Sequence, residues 1–175
     1  MKHSEYYEEK QGTKYVAPML YDLIKMIKPK SILEVGAGYT TAFICDAIEN
    51  TETKFVSIDD YPTKFKHDKL TFINKRFQNL SKTIHNQYGG FDFVWFDAGT
   101  SQDYAEFINE YIFMCTNYIL FHNTLNKNGP NMNYIVIKTL LDEFIGKQKY
   151  EMINILESNK DDQCSLCLIK LNKFI

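Results

Sequence analysis

Four short clusters carry the polar chemistry of this sequence. The first is Glu34-Val35-Gly36-Ala37-Gly38-Tyr39-Thr40-Thr41. Two glycines there allow a tight turn into a helix N-terminus and a close approach of backbone to a ligand. A dinucleotide fingerprint would place a third glycine at position 41, and this chain has Thr41. The second cluster is Asp59-Asp60, 23 positions after Gly36. A carboxylate in that place can accept both hydroxyls of a ribose, so Asp59 fits an adenosine ligand of either the nicotinamide or the sulfonium kind. Asp60 reads as its solvated neighbour. The third cluster is Asp97-Ala98-Gly99 and the fourth His122-Asn123. His122 is a candidate general base, because an imidazole titrates near working pH. A packed histidine bonded to backbone is the plain alternative.

These clusters need a frame, and hydrophobic periodicity supplies one. Helices are expected over residues 15–28, 40–50, 78–87, 103–115 and 132–145. Apolar runs predict strands at 31–35, 54–58, 70–73, 91–96 and 118–121. Alternation of strand and helix predicts a doubly wound α/β sheet, mostly parallel, with helices on both faces. Two further strands, 151–156 and 164–171, flank a polar loop and predict an antiparallel C-terminal hairpin at or near the sheet edge. In open sheets of this kind ligands bind beyond the carboxyl ends of the strands. All four clusters fall just after strands, as does Arg76-Phe77-Gln78 after the third.

Length and composition narrow the classes. A chain of 175 residues has room for one domain, not for a cofactor domain plus a substrate domain. Its 45% hydrophobic content excludes a disordered or fibrous chain. Net charge of −2 and a single arginine, Arg76, argue against a nucleic-acid surface. No apolar run reaches the roughly 18–20 residues of a membrane span. The polar, acidic N-terminus is unlike a signal peptide, so a cytoplasmic protein is expected. Cys45, Cys115, Cys164 and Cys167 lie in apolar segments and read as reduced, buried thiols. Cys164 and Cys167 fall on an expected strand, where residues three apart face opposite sides, which disfavours a shared metal.

A parallel sheet that ends in an antiparallel hairpin is the organisation of class I S-adenosylmethionine-dependent methyltransferases. Phe91-Asp92-Phe93-Val94-Trp95-Phe96-Asp97-Ala98, with Tyr104 beyond it, resembles the fourth-strand motif of the cation-dependent catechol and caffeoyl-CoA O-methyltransferases. Phe121-His122-Asn123-Thr124-Leu125 resembles that family's Asp-Asn-Thr-Leu. The resemblance spans roughly residues 10–171 in element order. It implies S-adenosylmethionine as cofactor, bound by Glu34, Gly36, Ala37, Gly38, Tyr39, Thr40, Asp59, Asp60, Arg76, Phe77 and Asp97. Phe77 would stack on adenine, and residues 1–14 would fold over the cofactor. It also implies a divalent cation at Asp97, His122 and Asn123. There an imidazole replaces a carboxylate, which suits Mn²⁺, Fe²⁺ or Zn²⁺ better than Mg²⁺, or no metal. The catechol branch has a lysine base where this chain has Thr100, so His122 with Asp97 is expected to face the acceptor.

Methyl transfer to a small molecule at oxygen is therefore the expected activity. An NAD-binding enzyme and a non-catalytic scaffold that keeps the fold are the alternatives. The expected partners are a small-molecule substrate and, as an option, a second copy in a homodimer, with neither nucleic acid nor membrane.

Overall fold

The computed structural model describes residues 13–63, 65–147, 149–156 and 165–172. The N-terminal segment 1–12, the polar loop after residue 156 and Cys164 lie outside the described residues.

The apolar runs form five parallel strands: β1 Ser31–Val35, β2 Lys54–Asp59, β3 Leu70–Asn74, β4 Phe91–Phe96 and β5 Cys115–His122. Two short strands, β6 Leu125–Asn126 and β7 Gly129–Pro130, pair with each other, where the sequence reads as plain loop. β8 Tyr150–Leu156 and β9 Ser165–Leu171 form the expected antiparallel pair. The seven-stranded sheet runs β3-β2-β1-β4-β5-β9-β8. β9 is inserted between β5 and β8, so the edge belongs to β8.

Period-two alternation divides the core. Ile32, Phe55, Phe93, Trp95 and Leu120 face α1 (Val16–Ile27) and α2 (Tyr39–Ile48). Leu33, Val35, Val94, Phe96 and Phe121 face α3 (Ser81–Tyr88), α4 (Ser101–Tyr111) and α5 (Met132–Phe144). Both faces of a parallel sheet are thereby covered, which is why its strands read as mainly apolar runs.

Two local departures have physical causes. α3 begins at Ser81 and not at residue 78, because Asn79 is left-handed at φ 62°. α4 stops at Tyr111: Ile112–Met114 tightens into a 3-10 turn, and Cys115 already pairs with Phe91 in the sheet. As the sequence reads, the β2-to-β3 crossover carries no helix among its described residues. Phe65, buried against the α1/α2 core, covers that stretch of sheet instead.

Candidate active site

The carboxyl ends of β1 to β4 open into one cleft. Gly36, Asp59, Asp60, Arg76, Phe77 and Asp97 all line it, together with Tyr61, Gln78, Gly99 and Asp103. The sheet order brings these residues together from four separate stretches of chain.

Gly36 starts the first wall. Its φ is +95°, a conformation that favours glycine, and a Cβ there would lie 2.1 Å from the Asp97 carbonyl oxygen. The β1 turn therefore passes directly against the end of β4. Gly38 is different. Its backbone is extended at φ −175°, and its N–H donates to Thr41 Oγ1 at 2.9 Å.

Behind this turn lies Glu34, fully buried on the α1/α2 side of β1. Three hydroxyls donate to its carboxylate: Thr40 to Oε1 at 2.9 Å, Thr41 to Oε2 at 2.8 Å and Ser57 to Oε2 at 2.6 Å. Thr40 Oγ1 also accepts the Trp95 indole N–H at 3.2 Å. Burial pushes the Glu34 carboxyl up to about 7, against the pull of these hydroxyls and with a smaller push from the Asp97 charge. Glu34 and Thr40 thus hold the loop from behind and do not line the cleft. Tyr39 packs its ring on Phe43, with centroids 5.0 Å apart.

Asp59 ties the second strand to the loop. Its Oδ2 accepts the Ala37 N–H and its Oδ1 the Tyr61 N–H, both at 2.7 Å. Burial raises its pKa, the two N–H bonds lower it, and Asp60 raises it again. Asp60 itself pairs with Arg76 across the ends of β2 and β3, with Nε to Oδ2 at 3.4 Å.

Phe77 is both cleft wall and core. It meets Phe96 edge-on at 5.6 Å, and its carbonyl accepts the Tyr111 hydroxyl. Gln78 is absent from the cofactor set expected above, yet it lines the same cleft. Its Nε2 donates to Asp103 Oδ1 at 3.0 Å and Glu106 Oε2 at 2.9 Å, which fixes the amide orientation. Its Oε1 is buried with no hydrogen-bond partner among the described residues. Because that atom is buried, a donor in the cleft reaches it only with a local rearrangement of the side chain.

At the end of β5, outside the residues that line the cleft, His122 Nδ1 lies 2.9 Å from Asp97 Oδ1. His122 is buried, its ring packs on Trp95 at 6.0 Å, and its backbone carbonyl accepts the Tyr104 hydroxyl at 2.6 Å. Burial raises the Tyr104 phenol well above its ordinary value, so it stays a donor. Thr100, in the position of the family's lysine, donates its hydroxyl to Asp103 at the start of α4.

Asp97, His122 and Asn123 do not fit a shared divalent cation. The imidazole and the Asp97 carboxylate are bonded to each other, and an ionised carboxylate only accepts, so Nδ1 carries a proton and offers no lone pair. Asn123 is left-handed at φ 54°, and its Oδ1 accepts from Asn131 Nδ2 at 3.1 Å. Its carbonyl accepts from both Asn131 and Asn133 at 2.8 Å. Both oxygens of Asn123 thus already accept N–H donors, and Asp97 Oδ1 is engaged by the imidazole.

The sequence matches no family model and no curated protein sequence. The structure does match solved proteins. The O-methyltransferase TomG from Streptomyces achromogenes, in complex with SAM, has a TM-score of 0.72 at 14% identity, covering 91% of this chain and 81% of that one. An O-methyltransferase from Bacillus cereus, in complex with SAH, has a TM-score of 0.68 at 14% identity, covering 96% and 86%. A putative caffeoyl-CoA O-methyltransferase from Staphylococcus aureus has a TM-score of 0.63 at 15% identity, covering 90% and 83%. The fold is that of S-adenosylmethionine-dependent O-methyltransferases. At these identities the likeness is one of architecture.

Proposed function

We propose that the chain is an S-adenosylmethionine-dependent methyltransferase that methylates a small molecule at oxygen. The observation that carries this reading is the cleft itself. It joins the Gly36 turn, the Asp59 carboxylate and the Gln78 amide at the carboxyl ends of four parallel strands. Those are the groups an adenosine with an amino-acid tail needs: close backbone for the tail, a carboxylate for the ribose, and an acceptor for the adenine amino group. Phe77 supplies an apolar wall for the base. When bound, the cofactor supplies a methyl group already activated on a sulfonium.

The chain's own task is then to hold the acceptor and take its proton. With the proton on Nδ1 and held by Asp97, the basic lone pair of His122 is on Nε2. That atom is buried, so an acceptor reaches it only with a local rearrangement. The same burial supports a second reading, a binding protein that keeps the fold without turnover.

Calorimetry with S-adenosylmethionine, S-adenosylhomocysteine and NAD tests the cofactor. Micromolar binding of the first two and none of NAD is expected, and binding of NAD alone would overturn the proposal. Release of S-adenosylhomocysteine in the presence of small phenols and alcohols then separates the enzyme from the binding protein.

A further inference from the structure

We propose that Glu34 is the positioning residue of the cofactor loop and that it works only as the carboxylate, so that a proton on a residue outside the cleft sets how well the cleft binds. The inference rests on reading the cleft as an S-adenosylmethionine site.

The hydrogen-bond inventory is the starting point. Thr40, Thr41 and Ser57 each have one hydroxyl proton, and all three are given to Glu34. A carboxylate accepts all of them. A carboxylic acid carries a proton of its own that must be donated, which strands at least one of the three hydroxyl protons in a buried place. Two of those hydroxyls belong to the first turn of α2 and register the loop. Thr41 Oγ1 receives the Gly38 N–H, and Thr40 Oγ1 receives the Trp95 indole N–H. One carboxylate therefore fixes the turn that approaches the cleft and the strand that ends in Asp97.

Few other titratable groups face it. From α2 comes Cys45, whose thiol is pushed far up by burial and by the Glu34 and Asp46 charges. Asp97 acts from the end of β4, and His122 lies beyond Trp95. β2 offers only Ser57. The buried face of α1 is Val16, Ala17, Leu20 and Ile24, with no charge. Among the described residues no cation is paired with Glu34. Burial and three hydroxyls oppose each other and leave the group poised near 7.

The direction follows from linkage. A cofactor that requires the ionised form binds better as pH rises to about 7 and no better above it. A one-proton linkage predicts about a tenfold loss of affinity between pH 8 and pH 6.

The experiment is calorimetry with S-adenosylhomocysteine at pH 6, 7 and 8, on the wild type, Glu34→Gln and Thr41→Val. Emission of Trp95, the only tryptophan, is followed across the same range without ligand. The wild type should show the tenfold loss and an emission transition near pH 7. Glu34→Gln should bind at every pH about as weakly as the wild type at pH 6, with no emission transition. Thr41→Val keeps the carboxylate but cuts its link to Gly38, and should also bind weakly with a flattened slope, which decides the matter if Glu34→Gln does not fold. A flat wild-type profile, or a slope that survives in the variants, would overturn the proposal by assigning the proton elsewhere. Absence of S-adenosylhomocysteine binding at every pH would instead overturn the cofactor reading. The emission titration then decides for Glu34 alone: a transition lost in Glu34→Gln upholds its hold on the loop, and a flat curve refutes it.

Discussion

The imidazole of His122 and the carboxylate of Asp97 meet at 2.9 Å, and this single bond joins the carboxyl ends of β4 and β5. If Nε2 is the base, His122→Asn should lower turnover about 10²–10⁴-fold and leave S-adenosylhomocysteine affinity nearly unchanged. Assays of product release alongside calorimetry check both. Full turnover per folded molecule, with only a lowered melting temperature, would make His122 a packing residue.

Asp59 holds the loop through the Ala37 N–H, accepts the Tyr61 N–H beside it and lines the cleft. Asp59→Ala should weaken S-adenosylhomocysteine binding by about 1–3 kcal/mol, the usual effect of leaving polar groups without partners. A dissociation constant equal to the wild type would remove Asp59 from the ribose.

Gln78 offers its buried Oε1 to a donor. The wild type should discriminate against the cofactor analogue that carries hypoxanthine, where a carbonyl replaces the amino group, by about 1–3 kcal/mol. Gln78→Leu should abolish the preference. Equal discrimination in the variant would place the base elsewhere.

Gly36→Ala forces a Cβ against the Asp97 carbonyl and a positive φ on alanine. Chemical denaturation should show a loss of about 1–3 kcal/mol or more. A fully stable variant would mean that the β1 turn yields easily.

Glu34 also leaves a mark on stability. Its carboxyl is raised from 4.5 to about 7 by burial, so its contribution is fully present below about 4.5 and is lost as pH rises through about 7. At about 1.36 kcal/mol per unit, the difference is on the order of 3 kcal/mol. Relative to Glu34→Gln, the wild type should therefore lose stability between pH 5 and pH 8, measured by urea denaturation. Parallel curves for the two proteins would refute the shift.

Much of this was legible before any coordinates. Strands buried on both faces must be largely apolar, so Ile32 to Val35 and Phe91 to Phe96 declared themselves, and with them the polar residues at their ends. What the sequence hid were matters of partner. Nothing local in Gln78 says that two carboxylates from α4 will clamp its amide. Glu34 sits two residues before Gly36, but its inward direction depends on Thr40, Thr41 and Ser57 arriving from two other elements.

The insertion of β9 between β5 and β8 sets an order in time. A ribosome releases β8 before β9, yet the only strand that β8 pairs with in the sheet is β9. Until β9 emerges, β5 is an open edge, with Tyr118 to His122 lacking the backbone partners they later find between Leu166 and Lys170. His122 pairs with Leu166, and Asn123 donates its N–H to the Ser165 carbonyl. The end of β5, with His122, is therefore finished last, after the strands whose ends form the cleft are in place. A nascent chain halted after β8 would carry the cofactor loop and an unclosed sheet, and should be a substrate for chaperones.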